Sequence, residues 1–278
     1  MTWKITKSNY RKIKKISDSY ANTILALLKK SLNRAVTREF LDRNVMDKVK
    51  RFKQDPKEAE IWTLEQFQKV LDQIYIQDYK QNFHYCLLLT LFMTGCRIGE
   101  LQALYWENIN FTKGRIDIFY TLDYKNRQEW SREFKTKTKS GKRTIALDSE
   151  TLKVLRRWQR RQSKHCQSNF VFSLDGNPLT VATVNNLLKR YANLANVPPI
   201  KVHGLRHSHA SYLLEQGISI ASVSKNLGHS SINITLGVYA HAYKNADEKI
   251  AEELTGIINQ KGSIENKVKT SSWKCNLE

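Results

Sequence analysis

The distribution of apolar positions along the chain predicts a mainly α protein with one small antiparallel β-sheet, an α+β arrangement. Between about residues 20 and 40, Ile24, Leu28, Leu32, Ala35 and Val36 recur at helical spacing and outline one amphipathic helix. Such a helix cannot bury its stripe alone, so it must pack on neighbours, on the next domain or on another chain. Residues 52–61 are polar, contain Pro56 and break the periodicity, which marks a linker. Thr63, with Gln66 three residues on, is a capping-box signature ahead of an apolar stripe at Phe67, Val70, Leu71 and Ile74. Residues 84–94 predict a mostly buried helix stopped by Gly95, and another begins near Glu100. Alternation and β-branched residues over 115–121 and 143–147 predict strands on either side of an exposed, charged stretch that ends in a turn at 139–142. From Leu152 the pattern is helical again, with a turn at 175–178, a helix start at Thr180 and a break at Pro198 and Pro199.

Charge changes this picture more than size does. The chain has 278 residues, enough for one or two domains with a sizeable core, and its apolar share of 41% argues against disorder. It carries 46 Lys and Arg against 26 Asp and Glu, a formal charge of +20. An excess of that size points to a polyanionic partner, most often nucleic acid, with a surface tuned for solubility as the plain alternative. No apolar run reaches the eighteen or so residues that a membrane span needs, and the basic N-terminus lacks the apolar stretch of a secretory signal. Cys86, Cys96, Cys166 and Cys275 are scattered without a CxxC pair, so neither a disulfide framework nor a cysteine zinc site is expected. A cytoplasmic, nucleoid-associated protein with no membrane contact is the expectation.

Candidate chemistry concentrates between His203 and Tyr239. His203 and Arg206 are three apart and share one face of a helix whose buried side is Leu205, Ala210, Leu213 and Leu214 and which Gly217 ends. The planar fork of Arg206 suits two phosphate oxygens, with His203 donating alongside. A surface arginine beside a capping histidine is the plain alternative. His203 and His207 also have the spacing of a zinc pair, but Gly204 stands where the metalloprotease pattern needs Glu, so no metal is expected. Ile220, Val223 and Leu227 make a short helix ended by Gly228, and His229 follows, placed either to reach a phosphate or simply to interact with the helix end. Tyr239 lies ten residues on, in TLGVYAH, where a tyrosine is by itself mostly a packing residue. Arg97 follows the buried helix and its glycine, with Glu100 in position to orient it or to form an ordinary helix pair. Lys137, Lys139 and Lys142 could face a DNA backbone or be a solvated hairpin.

Taken in order, these residues resemble the tyrosine recombinase (phage integrase) family. Arg97 in TGCRIGEL matches the family's first arginine, and Lys137 its hairpin lysine when TKTKSGKRTIAL is set on KT-x-x-S-x-R-x-I-P-L. The HxLRH box is His203 to His207 with Arg206 inside it, His229 is the LGH histidine, and Tyr239 stands at the nucleophile's place. Ala146 replaces the pattern's proline. The resemblance implies a partial helical core-DNA-binding segment over 1–55, a tyrosine-recombinase catalytic domain over 56–260 and a polar tail over 261–278. It also implies that the chain starts midway through the DNA-encircling clamp, because the family's core-binding domains are usually about twice as long.

The implied chemistry is phosphoryl transfer on double-stranded DNA without cofactor or metal. Tyr239 would attack a phosphate to give a 3′-phosphotyrosyl link, Arg97, Arg206 and His229 would hold the phosphate oxygens, His203 would assist proton transfer and Lys137 would protonate the leaving 5′-oxygen. Recombination in the family needs a homo-tetramer on two DNA sites. Ile250, Leu254, Ile257 and Ile258 could supply the contact helix between protomers or close the protomer's own core. The implied role is integration or excision of a mobile element. Three rivals stay open: a truncated integrase that holds DNA without completing recombination, a type IB topoisomerase-like strand transferase and, least supported, a zinc hydrolase.

Overall fold

The computed structural model describes residues 16–53, 60–124, 130–133, 142–239 and 254–255, and of 123–124, 130–133, 234 and 237–239 the backbone alone. The chain divides into two compact units, Met1–Glu58 and Ala59–Glu278. In the first, α1 (Asp18–Thr37) starts at Ser17, whose side chain accepts from the Tyr20 N–H. Asn22 ties the helix to its return segment through two hydrogen bonds, donating to Phe52 O at 2.9 Å and accepting from Phe52 N at 2.8 Å. Ala21 is the one fully buried apolar residue among those described in this unit, while Leu27, Leu28, Phe40 and Leu41 are exposed.

In the second unit the expected capping box forms: Thr63 and Gln66 exchange hydrogen bonds at the start of α2 (Leu64–Leu71). The buried helix α3 (Tyr79–Thr94) begins five residues before the point predicted from hydropathy, because Asp78 accepts from the Gln81 N–H and caps a polar first turn. Apolar side chains surround its later turns, with Phe83, Cys86, Leu87, Leu88, Leu91 and Phe92 all buried, and Phe92 stacks on Phe67 of α2 at 4.1 Å. It is the axis of the core.

The short helix α4 (Ile98–Gln102) follows with Arg97 itself as the N-cap residue, two residues earlier than expected. Strands β1 (Ile109–Asn110), β2 (Arg115–Ile118) and β5 (Arg143–Ala146) form an antiparallel sheet in the order β1-β2-β5, with the buried Ile116 and Ile145 opposite one another. A second antiparallel pair, β3 (Thr121–Tyr124) with β4 (Trp130–Glu133), lies within the stretch that the sequence marks only as exposed and charged.

Helices α5 (Ser149–Gln162), α6 (Val181–Leu194) and α7 (Val202–Glu215) complete the main core, with Trp158, Leu188, Tyr191 and Leu205 buried. Two further helices, α8 (Ile220–Leu227) and α9 (Ile232–Tyr239), follow. Ala210 and Leu214 of α7 and Val223 and Leu227 of α8 make a separate apolar cluster that fixes the two helices together. That cluster sets the base of the site. No helix among the described residues is long and apolar enough to cross a membrane. Of the residues in the expected contact helix, only Leu254 is described, and it is exposed.

Candidate active site

The site is built where two helices end on left-handed residues. Gly95 stops α3 at φ 60° and Gly228 stops α8 at φ 69°, a conformation in which a Cβ is penalised. At Gly95 the space is also taken: a Cβ would lie 2.5 Å from Cδ2 of His209 and 2.9 Å from Cδ2 of Leu227. The close approach brings the end of α3 against α7 and α8. It places the Gly95 carbonyl beside Arg206 and lets the next residues, Cys96 and Arg97, turn into α4.

The last carbonyls of a helix lack intrahelical partners and carry the negative end of its dipole. At the end of α8, three successive ones are taken by three different arginines. Arg143 Nε donates to Asn226 O at 2.7 Å, Arg206 Nη2 to Leu227 O at 2.7 Å, and Arg97 Nη2 to Gly228 O at 3.4 Å. Arg206 also donates through Nη1 to Gly95 O at 2.8 Å, so its fork bridges the ends of α3 and α8. Glu100 is the counter-charge: its carboxylate accepts from the backbone N–H and Nη1 of Arg97, each at 2.9 Å, and from Nη2 of Arg143 at 2.8 Å. Three guanidiniums against one carboxylate leave a local excess of positive charge suited to an anion with several oxygens.

Titration behaviour follows this charge pattern. Burial pushes the Glu100 carboxyl up, but the hydrogen bonds and charges of Arg143 and Arg97 outweigh it and hold the group below its ordinary value. Arg206 is lowered to about 10 by burial and by the charges of Arg97 and Arg143, and it remains protonated at neutral pH. His229 is lowered to about 4, first by burial and then by Arg206, Arg97 and Arg143, so it is neutral at pH 7. Its Nδ1 lies 2.7 Å from Oγ1 of the buried Thr235 on α9, which fixes the ring's orientation. His203, lowered by burial, Arg206 and Arg97, lies at the rim, its ring edge-on to His207 with 4.6 Å between centroids.

Four of the six residues singled out by sequence, Arg97, His203, Arg206 and His229, thus surround one spot. Arg206 is 3% exposed and Arg97 far more open, with 42% of its side chain exposed. Tyr239 is the last residue of α9, seven residues after its start, and its side chain is outside the described residues. Lys137 is outside them altogether. Two residues that sequence reasoning did not place here belong to the spot: Arg143, read only as part of a strand, and Thr235. Arg143 had a visible signal, since it shares the inward register of β5 with Ile145. Thr235 had none beyond its position in a short helix.

Residues 62–246 match the model of the phage integrase family. The chain belongs to this family. Among its relatives, the ICEBs1 integrase of Bacillus subtilis (strain 168) is 29% identical over 251 residues, covering 87% of this chain and 67% of that protein. The integrase of Staphylococcus phage L54a is 30% identical over 176 residues, covering 60% of this chain and 50% of that one. The chain therefore spans about half to two thirds of these relatives' length. Among solved structures, the Tn1549 transposon integrase in complex with a circular intermediate DNA superposes with a TM-score of 0.76 at 22% identity, covering 91% of this chain and 86% of that one. A lambda integrase dimer bound to a COC' core site gives 0.58 at 18% identity, covering 78% and 74%. At these identities the two structures establish the shared fold.

Proposed function

We propose that the protein is a site-specific DNA recombinase of a mobile element and that it cuts and rejoins DNA through a 3′-phosphotyrosyl intermediate on Tyr239. The observation that carries this reading is the set of three arginines gathered on the carbonyls of Asn226, Leu227 and Gly228, with the neutral His229 next in the chain. A scissile phosphate fits such a place, because charge grows on its non-bridging oxygens as the reaction proceeds. The solved relatives are described on DNA, and the curated relatives include integrases of a phage and of ICEBs1, which supports DNA and a mobile element as the setting.

The roles follow from chemistry. The Tyr239 oxygen attacks phosphorus and the bond to the 5′-oxygen breaks. A phenol with a pKa near 10 is a weak nucleophile at neutral pH, so His203 takes its proton as the bond forms. Arg97 and Arg206 each offer N–H groups to the non-bridging oxygens. We assign the neutral His229 the tautomer in which Thr235 donates to Nδ1, leaving Nε2–H to donate to the phosphate. Lys137 gives the departing 5′-oxygen its proton. The phosphotyrosyl bond keeps the phosphodiester reactive, so a 5′-hydroxyl from a second duplex can reverse the step on a new partner, within four protomers on two sites. The test is Tyr239→Phe, which removes only the attacking oxygen. DNA affinity should persist and strand cleavage should vanish, whereas residual cleavage would sink the assignment.

A further inference from the structure

Arginine is an unusual residue to point inward from a strand. β5 alternates buried and exposed positions, and its two buried residues are Arg143 and Ile145. A buried guanidinium must be paired and hydrogen-bonded to be tolerated. That of Arg143 is both: it forks onto Glu100, Nη1 to Oε1 at 3.2 Å and Nη2 to Oε2 at 2.8 Å, while Nε donates to Asn226 O at 2.7 Å. Its side chain is 7% exposed and that of Glu100 is 9%. Both Glu100 oxygens are shared, because Oε1 also accepts from Arg97 Nη1 and Oε2 from the Arg97 N–H.

We propose that Arg143 is a positioning residue for the phosphate site: it neutralises Glu100, so that the charge of Arg97 stays available to the phosphate, and it holds the end of α8 that presents His229. The inference rests on the recombinase reading above. Take Arg143 away and, among the described residues, Arg97 is the cation still hydrogen-bonded to the enclosed Glu100 carboxylate. The exposed Arg97 guanidinium is then drawn onto the carboxylate, and its charge is spent inside the protein rather than on the substrate. The Asn226 carbonyl loses its donor at the same time, and the turn that carries His229 is loosened. A lysine at 143 restores the charge without the two-pronged geometry, so it should restore function only in part.

The experiment measures two quantities on a nicked suicide substrate: DNA affinity, and the single-turnover rate of covalent adduct formation at saturating DNA. Arg143→Gln should slow adduct formation about a hundredfold, the scale of an ångström-sized misplacement, with affinity held within about twofold. Arg143→Lys should be about tenfold slower than wild type. Adding Glu100→Gln to Arg143→Gln removes the unpaired carboxylate, releases Arg97 and should recover about tenfold. A rate loss that merely tracks a loss of affinity, or a double variant no faster than the single one, overturns the inference. Should Arg143→Gln fail to fold, Arg143→Lys decides: an unchanged rate at saturating DNA overturns it. A wild-type protein that binds DNA and makes no adduct overturns the recombinase reading and this inference with it. A wild-type adduct with Arg143→Gln equally fast overturns this inference alone.

Discussion

Replacing Arg206 by alanine separates what the residue does for the fold from what it does for the reaction. Two hydrogen bonds disappear, to Gly95 O and to Leu227 O. A bond from a charged donor contributes about 1.5–3 kcal/mol, so the pair is worth about 3–6 kcal/mol. Against this stands the environment of the charge. Burial and the neighbouring arginines lower the group well below the usual guanidinium range, to about 10, which at about 1.36 kcal/mol per unit is a penalty of about 3 kcal/mol on the protonated form. The difference is about 0–3 kcal/mol, so Arg206→Ala should lose at most about 3 kcal/mol of stability, a fall of no more than about 12 °C in Tm for a unit of this size. A charge kept where it contributes so little to folding is expected of a functional group. Losing one donor to a developing oxyanion costs about 2.7–4 kcal/mol of transition-state stabilisation, so cleavage should slow by about 10²–10³. The assay is single-turnover cleavage at a temperature where melting shows the variant folded. A rate loss under tenfold, or one that matches the unfolded fraction, would refute the catalytic role and leave Arg206 as a strut between α3 and α8.

Other consequences are checked separately. Thr235→Val keeps the shape of a fully buried residue while removing the partner of His229 Nδ1; cleavage should fall about tenfold with little change in Tm, and an unchanged rate would remove Thr235 from the site. Gly95→Ala forces a Cβ into a left-handed residue and against His209, so the urea midpoint should reveal a loss of about 3 kcal/mol, and a neutral result would contradict the packing described at that turn. His84, His207 and His229 are held at about 4 in the folded chain, burial being the first cause of each, whereas unfolded histidines titrate near 6.5. The folded-state values are depressed, so the unfolded chain binds more protons between these limits. Stability is then complete above pH 6.5 and lost as pH falls towards 4. Discounted for the exposure of His207 and His229, the loss by pH 5 should be about 2 kcal/mol, and equal denaturation midpoints at pH 7 and pH 5 would contradict it.

Much of the site was legible because its logic is local. The spacing of His203 and Arg206 put them on one helix, Gly228 announced the end of α8, and Thr63 with Gln66 marked the start of α2. Depth and long-range pairing were another matter. Periodicity places Arg206 beside His203 but does not tell that one is buried and the other at the rim, since depth depends on how α3 and α8 close over α7. Glu100 reads as the i,i+3 partner of Arg97, which it is, yet its second arginine comes from a strand forty-three residues away and no spacing rule reaches that far. The inward register of Arg143 was readable but lay in a run of basic residues, where the default reading is a solvated face. The pair β3–β4 was missed because β3 alternates over only four residues, directly behind a predicted strand, and its partner Trp130–Glu133 has one apolar residue and no alternation. α3 began earlier than its apolar run because a side-chain cap, rather than hydropathy, sets the first turn.

The central claim is that one oxygen, on Tyr239, becomes covalently joined to DNA. Its most direct test is to trap the protein on a nicked substrate carrying the DNA that flanks its gene, denature and digest the adduct, and identify the residue that carries the nucleotide by mass spectrometry. The account predicts a single phosphotyrosyl linkage at Tyr239 and none in Tyr239→Phe. A linkage to any other residue, or no linkage from a wild-type protein that binds the same DNA, would contradict it.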